Sequence, residues 1–386
     1  MILTQCASCA APLVHKAPRC GICKTRYCGR DCQMLHWKGG HKDLCQQIKR
    51  GGGAEQHHAD KKYAEAVTEA AEVCAEDTKG QTCYICTEAV HWKTKEGLVR
   101  GCACRGTAGF AHVSCLAEQA KTLREDAEEN DLDDEVFDAR WVRWHRCGLC
   151  EQNYHGVVAC ALGWGCWKTY VGRQEEDGAW TTAIGVLGNG LSAAHHHADA
   201  LSVGEAELAM EVRLGTSGVN LLATQGNLAI RYHYVGKHEE ALLMRRDVYS
   251  GTLKLLGEEN SETLRESMCL SSALIQCSRL DEAKSLLCKM IPVARRVLGE
   301  SHELTLRMRC TYAQSLCYDD GATLDDLREA VTILEDVAPT TRRVLGGAHP
   351  TIEGMGRCLH DAQAALCARQ ALVPGAGSHA HGVVHE

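Results

Sequence analysis

The 386-residue chain has no long apolar run. Its longest nearly apolar stretch, residues 157–167, is far below the roughly 20 residues that a membrane-spanning helix needs. The first twenty residues contain no apolar core of about seven or more residues, so we expect no secretory leader. No membrane association is expected, and the predicted location is intracellular, in the cytoplasm or the nucleus.

Common catalytic motifs are absent as well. The sequence has no G-x-x-x-x-G-K-[ST] phosphate loop, no G-x-S-x-G nucleophile elbow and no H-E-x-x-H motif. A net charge of −8 disfavours nucleic acid as a partner of the whole chain. These absences favour a protein whose partners are proteins or peptides.

Cysteine is abundant and concentrated near the front. Fifteen of the 24 cysteines lie before residue 151. A small secreted disulfide domain would be shorter and more evenly studded with cysteine. We therefore expect metal-bound thiolates in a reducing compartment.

The first fifty residues contain four pairs of metal-ligand type. Two cysteines separated by two residues aim both sulfurs at one ion, and a spacing of three places two ligands one helical turn apart. Eight ligands complete two four-coordinate sites with no position left for water, so these zinc ions are expected to be structural. The pairs are Cys6 and Cys9, Cys20 and Cys23, Cys28 and Cys32, and His41 and Cys45.

Residues 27–45, YCGRDCQMLHWKGGHKDLC, resemble the MYND-type zinc finger. The resemblance implies that Cys6, Cys9, Cys28 and Cys32 hold one ion, and that Cys20, Cys23, His41 and Cys45 hold the other. Fingers of this family bind short proline-containing peptides, and Gln33 and Trp37 match positions in that groove. Simple packing over a small core is an equally open interpretation of Trp37.

A second cluster surrounds CACRGTAGFAHVSC, residues 102–115. Cysteine pairs on both sides bring the total to eight ligands, and their order, with histidine fifth, resembles the RING-CH finger. The resemblance implies one zinc ion on Cys83, Cys86, His112 and Cys115, and another on Cys102, Cys104, Cys147 and Cys150. Four structural zinc ions are therefore expected in the chain.

RING-type fingers act as ubiquitin ligases by docking a charged ubiquitin-conjugating enzyme on an apolar shelf. The resemblance places Ile85 and Leu149 on that shelf. Two departures oppose the activity: Gln119 stands where the family usually has tryptophan, and Glu151 follows the last ligand, where a cation is common. Whether the chain is an enzyme is therefore left open by the sequence.

The segment between Cys115 and Cys147 carries nine acidic and no basic residues over positions 125–138. This run is either a solvated loop or a contact partner for the basic first finger. Trp141 and Trp144, in the same segment, either complete the apolar shelf or pack in a core.

Beyond residue 156 the sequence repeats. Leu-Gly pairs at 214–215, 256–257, 298–299 and 345–346 and alanines at 200, 241, 283 and 330 share a period near 42. This predicts helical hairpins in which the glycine forms a left-handed cap. LGEENSETL and LGESHELTL resemble the tetratricopeptide repeats of kinesin light chains. Such solenoids bind peptides or proteins on a concave face, the alternative being a structural spacer.

The predicted organisation has five parts. They are a MYND-like finger over 1–48, a flexible linker and short helix over 49–80, a RING-CH-like finger over 81–155, tetratricopeptide-like repeats over 156–370, and a disordered tail over 371–386. The fold class is therefore multi-domain: two small zinc-stabilised cross-brace fingers with little regular structure, then an all-α helical-repeat solenoid. The predicted function is a protein-interaction adaptor or scaffold. The alternative is a RING-CH-type ubiquitin ligase whose repeats recruit substrate.

Overall fold

The computed structural model describes residues 5–11, 13–14, 16–174, 177–319, 321–345 and 350–371. The chain divides into two compact units, Met1–Ser217 and Gly218–Glu386. In the described ranges the regular structure is helical, apart from isolated β-bridges such as the one between Val99 and Ala111. None of the described helices is long and apolar enough to cross a membrane. The tail predicted to be disordered lies outside the described residues from 372 onward.

The first unit contains both cysteine clusters and the helices that pack beside them. A short π-helical turn, Trp37–His41, joins the first two helices, and a 3₁₀ turn, Val142–Trp144, follows the fifth. The helices are α1 (Arg30–His36), α2 (Lys42–Arg50), α3 (Ala54–Val73), α4 (Val113–Glu129), α5 (Asp134–Trp141), α6 (Gly156–Tyr170), α7 (Gly178–Ala193) and α8 (His197–Leu214).

Helix α6 lies at the centre of this unit. It packs against α3, α4 and α7, and most of its side chains are buried, as expected for a helix that is apolar on all sides. Helix α7 approaches it closely at Gly190, where an added Cβ would lie 2.5 Å from the carbonyl oxygen of Ala159. The second finger is therefore packed into a helical core.

Helix α3 begins earlier than the sequence analysis expected. The flexible linker and short helix expected over residues 49–80 are mostly helix, since only the glycines at 51–53 precede its start at Ala54. Ala59, Ala66 and Ala70 form a buried face of small residues, which lets α3 pack closely on α6. The contact also includes a hydrogen bond of 3.1 Å from the Gln56 side chain to the carbonyl of Lys168.

The second unit is a row of helices joined by short turns. Each helix packs against the next, and α11 also contacts α13, as α13 contacts α15, so alternate helices share one face of a solenoid. The predicted fold class is confirmed. The helices are α9 (Gly218–Tyr234), α10 (His238–Leu256), α11 (Ser261–Gln276), α12 (Leu280–Leu298), α13 (Glu303–Cys317), α14 (Leu324–Leu345) and α15 (Pro350–Ala371).

Three of the Leu-Gly glycines end helices with positive φ. Gly215 adopts the left-handed cap that the sequence predicts, with φ 76° and ψ 19°. Gly257 and Gly299 instead combine positive φ with extended ψ, a region that is essentially restricted to glycine. The fourth glycine, at 346, lies outside the described residues.

Candidate metal centres

Sixteen cysteine and histidine side chains converge into four groups in the first unit. Within each group the four ligand atoms lie within 4.8 Å of one another. The groups are Cys6, Cys9, Cys28 and Cys32; Cys20, Cys23, His41 and Cys45; Cys83, Cys86, His112 and Cys115; and Cys102, Cys104, Cys147 and Cys150. These are the four interleaved sets that the two family resemblances imply.

The spacing of the sulfur atoms suits tetrahedral zinc. Four sulfurs at about 2.3 Å from a central ion would lie about 3.8 Å apart. The sulfurs of Cys20 and Cys45 are 3.6 Å apart, and those of Cys104 and Cys147 are 3.8 Å apart. A disulfide would need about 2.05 Å, and none of the 24 cysteines is paired in one. Each group can therefore hold one zinc ion.

The two histidine ligands are buried and face their groups through different nitrogens. His41 places Nε2 3.3 Å from the sulfur of Cys23. His112 places Nδ1 3.3 Å from the sulfur of Cys86. Both distances match a nitrogen and a sulfur sharing one zinc ion, for which tetrahedral geometry gives about 3.5 Å.

His36, which the sequence places near these ligands, has a different role. Its Nδ1 lies 3.0 Å from the hydroxyl of the buried Tyr27, and its ring stacks on that of His41 at 4.7 Å between centroids. It therefore orients a ligand and belongs to none of the four groups.

Each Cys-x-x-Cys pair lies in the same kind of turn. In one of them the N–H of Cys83 donates to the carbonyl of Glu88 at 3.0 Å, and the N–H of Thr87 donates to the carbonyl of Cys83 at 2.8 Å. The residue after the second cysteine has φ between 54° and 68° in all four turns, although none of these residues is glycine: Ala10, Lys24, Thr87 and Glu151. Non-glycine residues seldom adopt this conformation, so these turns carry backbone strain.

Short helices bring the remaining ligands to these turns. Cys32 lies in α1 and Cys45 in α2, and between them Gly40 has φ 110°, which breaks the helical path just before His41. In the second finger His112 directly precedes α4, and Cys115 lies in the first turn of that helix. Helix geometry therefore positions Cys32 of the first group, His41 and Cys45 of the second, and His112 and Cys115 of the third.

Neighbouring thiols in each group make it costly for all of them to ionise unless a cation compensates their charge. Burial, ahead of the neighbouring thiols, raises the pKa of Cys45 to about 12 and that of Cys104 to about 11. In Cys6 burial acts in the same direction, but backbone N–H donors outweigh it and lower the pKa to about 6. Four adjacent thiols therefore cannot all ionise together near neutral pH unless a divalent ion is present. The donor chemistry and the geometry both fit four structural zinc ions.

A fifth turn repeats this geometry without any cysteine, at residues 91–96. The N–H of His91 donates to the carbonyl of Glu96 at 3.0 Å, and the N–H of Lys95 donates to the carbonyl of His91 at 2.9 Å. Thr94 closes the turn, with its hydroxyl 2.7 Å from His91 Nδ1. The His91 ring packs edge-on against that of the ligand His112. Sequence analysis missed this turn, because His-x-x-Thr carries no metal-ligand signal.

The four predicted partner-binding side chains lie at or near the surface of the fingers. Ile85, Leu149 and Trp37 are exposed, and Gln33 is half-buried. Their partner-binding role remains a prediction.

Trp141 and Trp144, in contrast, are buried. They pack around Tyr170, with ring centroids 5.1 and 5.9 Å from it. Core packing is therefore their role, and they do not extend the apolar shelf.

The acidic run contacts arginines of its own neighbourhood. Glu128 lies 2.8 Å from the buried Arg124 and is bound through both oxygens by Arg173 of the loop after α6, at 2.8 and 3.1 Å. Asp126 pairs with Arg140 of α5. Much of the run is therefore helix α4 and helix α5 with local ion pairs, and the solvated-loop interpretation is wrong for these residues.

Both clusters match known families. Residues 6–45 match the MYND finger, and residues 83–130 match the RING-variant domain. Together with the four ligand groups, these matches support a MYND-like finger followed by a RING-CH-like finger, each with two structural zinc sites.

Curated proteins resemble the chain over short stretches. Ubiquitin C-terminal hydrolase 15 of Oryza sativa subsp. japonica is 48% identical over 44 residues, which is 11% of this chain and 4% of that protein. Ubiquitin carboxyl-terminal hydrolase 17 of Arabidopsis thaliana is 50% identical over 38 residues, 10% of this chain and 5% of that protein. The chain therefore spans about a twentieth of the length of these relatives.

Solved helical-repeat structures are also similar to the chain. A kinesin light chain with nearly identical TPR-like repeats from Podosopora anserina is 22% identical, with a TM-score of 0.42, over 51% of this chain and 91% of that one. BtubC (BKLC) from P. vanneervenii is 12% identical, with a TM-score of 0.33, over 71% and 97% of the two chains. The solenoid assignment rests on this chain's own helix pairs.

Proposed function

We propose that the chain is an adaptor that brings protein or peptide partners together on two zinc-stabilised fingers and a helical-repeat array. Its zinc sites are closed, so the metal shapes binding surfaces and leaves no position for a reacting water. The observation that carries this proposal is the exposure of large apolar side chains on both fingers, Trp37, Ile85 and Leu149 among them. Contiguous exposed apolar patches are typical of protein-binding sites.

The alternative is a RING-CH-type ubiquitin ligase in which Ile85 and Leu149 dock a ubiquitin-conjugating enzyme. Two observations count against it. Gln119 replaces the expected tryptophan, and the buried Trp141 and Trp144 do not compensate for that loss. Glu151 lies where a cation is common. It accepts hydrogen bonds from both terminal nitrogens of Arg143 at 3.0 and 3.1 Å, so the charge of this nearby arginine is already paired.

A discharge assay separates the two functions. The purified full chain is incubated with a panel of ubiquitin-conjugating enzymes, each charged with ubiquitin as a thioester. We expect no acceleration of discharge by any of them. Discharge that disappears in Ile85→Ala and Cys83→Ser, but persists in Val73→Ala, an exposed position outside the fingers, would establish the ligase and overturn the proposal.

The adaptor proposal also has a positive test. An adaptor holds separate partners on its two units. Proteins captured by the full chain should therefore fall into two sets. One set is lost on Cys83→Ser in the first unit, and the other on Tyr234→Ala, an exposed side chain of α9 in the second unit. A single set that both variants lose equally would contradict the adaptor role.

A further inference from the structure

A groove with a volume of about 920 Å³ opens beside the first zinc group of the RING-variant region. Its walls are the 91–96 turn, helix α4, and parts of α3 and α6, all within the first unit. The zinc-ligand residues Cys86 and Cys115 contribute to its lining. The shape of the groove is therefore tied to that zinc site.

Two apolar side chains stand exposed at the edge of the groove. Ile85 is 36% exposed, and Trp92 is 68% exposed, which is unusual for a side chain of this size. Each lies at the tip of a turn held by a pair of backbone hydrogen bonds, one in the Cys83 turn and one in the His91 turn. Because these turns are fixed, little conformational entropy would be lost when a partner packs on these side chains.

The far wall is fixed as well. The hydroxyl of Tyr63 lies 3.2 Å from that of Ser114, whose backbone N–H and hydroxyl both donate to the carboxylate of Glu96 at 2.7 and 2.9 Å. The ammonium of Lys168 lies 4.6 Å from the centre of the Tyr63 ring. The groove is thus a preformed surface with an apolar floor and a charged rim.

The rim is basic in a chain of net charge −8. Three lysines line the groove, Lys93, Lys121 and Lys168, against one lining carboxylate, Glu118. Glu125 and Asp60, outside the lining, also pair with Lys121 and Lys168. The ion pairs of Lys121 and Lys168 are long, 3.6 to 3.8 Å, and solvent-exposed, so they neutralise the lysines only weakly. Lys93 forms no ion pair with any side chain in the part of the chain that the structure describes.

Gln119 also lines this groove. At this position related fingers carry the tryptophan of the conjugating-enzyme shelf. Here the exposed indole comes instead from Trp92, on the other side of the groove, next to Lys93. The pairing of an exposed indole with a free lysine changes the kind of partner that the surface fits.

We propose that this groove binds a segment of a partner protein in which an apolar anchor residue is flanked by acidic side chains. The proposal rests on the adaptor function and specifies one partner class for it. The anchor packs between Trp92 and Ile85, and the flanking carboxylates face Lys93, Lys121 and Lys168. A single strand of nucleic acid would also contact lysines and an indole. However, the groove has a single exposed tryptophan, so it lacks the series of aromatic side chains on which successive bases stack, and Glu118 would repel phosphate.

The test uses fluorescein-labelled peptides with one Leu, Phe or Trp between Asp and Glu residues, and a matched set flanked by Lys. Binding to the zinc-loaded full chain is followed by fluorescence anisotropy. We expect the acidic set alone to bind, and to bind more weakly as salt rises. Trp92→Ala and Lys93→Glu should each weaken binding by roughly fivefold or more, whereas Val73→Ala and Lys79→Glu, exposed positions outside the groove, should not.

Three results would overturn the proposal: no binding by any acidic peptide, binding that Trp92→Ala and Lys93→Glu leave unchanged, or tighter binding of labelled oligouridylate. Zinc content and circular dichroism of each variant exclude loss of fold as the cause. Failure here would leave the adaptor proposal standing, because the discharge and capture experiments test it separately.

Discussion

The guanidinium of Arg245 lies 2.8 Å from the carboxylate of Glu266, and the two side chains are only 8% and 5% exposed. Arg245 belongs to α10 and Glu266 to α11, so the ion pair joins the second helix of one hairpin to the first helix of the next. Arg265 also lies 3.2 Å from Glu266. Buried charges are tolerated only while each is paired, so this junction is sensitive to the loss of either partner.

Arg245→Met is therefore expected to lower the free energy of unfolding of the second unit by about 3 kcal/mol, because it leaves Glu266 buried with less charge compensation. The neighbouring Arg246 offers a matched control: its ion pair with Glu282, at 2.6 Å, is solvent-exposed. Arg246→Met should cost less than about 1 kcal/mol. Urea denaturation followed by circular dichroism compares the two variants, and equal losses would contradict the buried-pair account.

In the first unit, Glu128 forms ion pairs that link two arginines, Arg124 and Arg173. The bidentate hydrogen bond from Arg173, followed by the charges of Arg124 and Arg173, holds the pKa of Glu128 below its usual range. Arg124 is buried, and its guanidinium also lies over the ring of Phe137. Glu128→Gln should therefore destabilise the unit by about 1 kcal/mol, since it removes a partly exposed carboxylate from the buried Arg124.

Glu129→Gln is the control for that experiment, since Glu129, on the same helix, forms no ion pair within the part of the chain that the structure describes. It should change the free energy of unfolding, measured by thermal denaturation, by less than about 0.5 kcal/mol. If the two substitutions had the same effect, the acidic run would matter only through its overall charge.

Two glycines of the solenoid, Gly299 and Gly356, should respond to alanine substitution with changes in stability of opposite sign. Gly299 has φ 95°, a conformation that costs any residue with a Cβ, so Gly299→Ala should destabilise the second unit by about 1 kcal/mol. Gly356, inside α15, has nothing within 4 Å of an added Cβ. Gly356→Ala should therefore stabilise by about 0.5–1 kcal/mol. Chemical denaturation that showed the same sign for both would refute the assigned backbone conformation.

Loss of one ligand should be visible as loss of metal. Cys102→Ser removes one of four ligands from the second group of the RING-variant region, so the zinc content should fall by at least one ion per chain. Cys74→Ser is the control, because Cys74 belongs to none of the four groups. Full zinc retention in Cys102→Ser would exclude that cysteine as a ligand.

The zinc modules were predictable because their information is local. Cys-x-x-Cys turns and ligands one helical turn apart can be recognised in short stretches of sequence, and the family resemblances imply how the pairs interleave. The strain at Thr87 and Glu151 was not predictable, since neither residue favours positive φ on its own. The two backbone hydrogen bonds of each turn hold that conformation.

The repeat region shows the same division. The helical hairpins that the period near 42 predicts are present, for example α9 with α10 and α11 with α12. The conformations of Gly257 and Gly299 differ from the left-handed cap, because their ψ angles are extended and the backbone therefore leaves the helix in an extended conformation at each glycine.

The sequence pattern did not predict how the helices of the first unit pack against one another. The sequence pattern indicated only a flexible linker and a short helix over residues 49–80, because the buried face of α3 is mostly alanine, which gives little amphipathic contrast. The exposed Trp92 escaped notice for a related reason, since an isolated tryptophan usually indicates a core. Only the fold shows that one face of α3 is covered by α6 and that Trp92 is not covered.

The most direct test of the central claim is a measurement of bound metal. Inductively coupled plasma mass spectrometry of the native full chain should find four zinc ions per chain, one for each group of four ligands. Two or fewer ions per chain, or sulfurs recovered as disulfides, would contradict the zinc-built fingers and the adaptor function proposed on them.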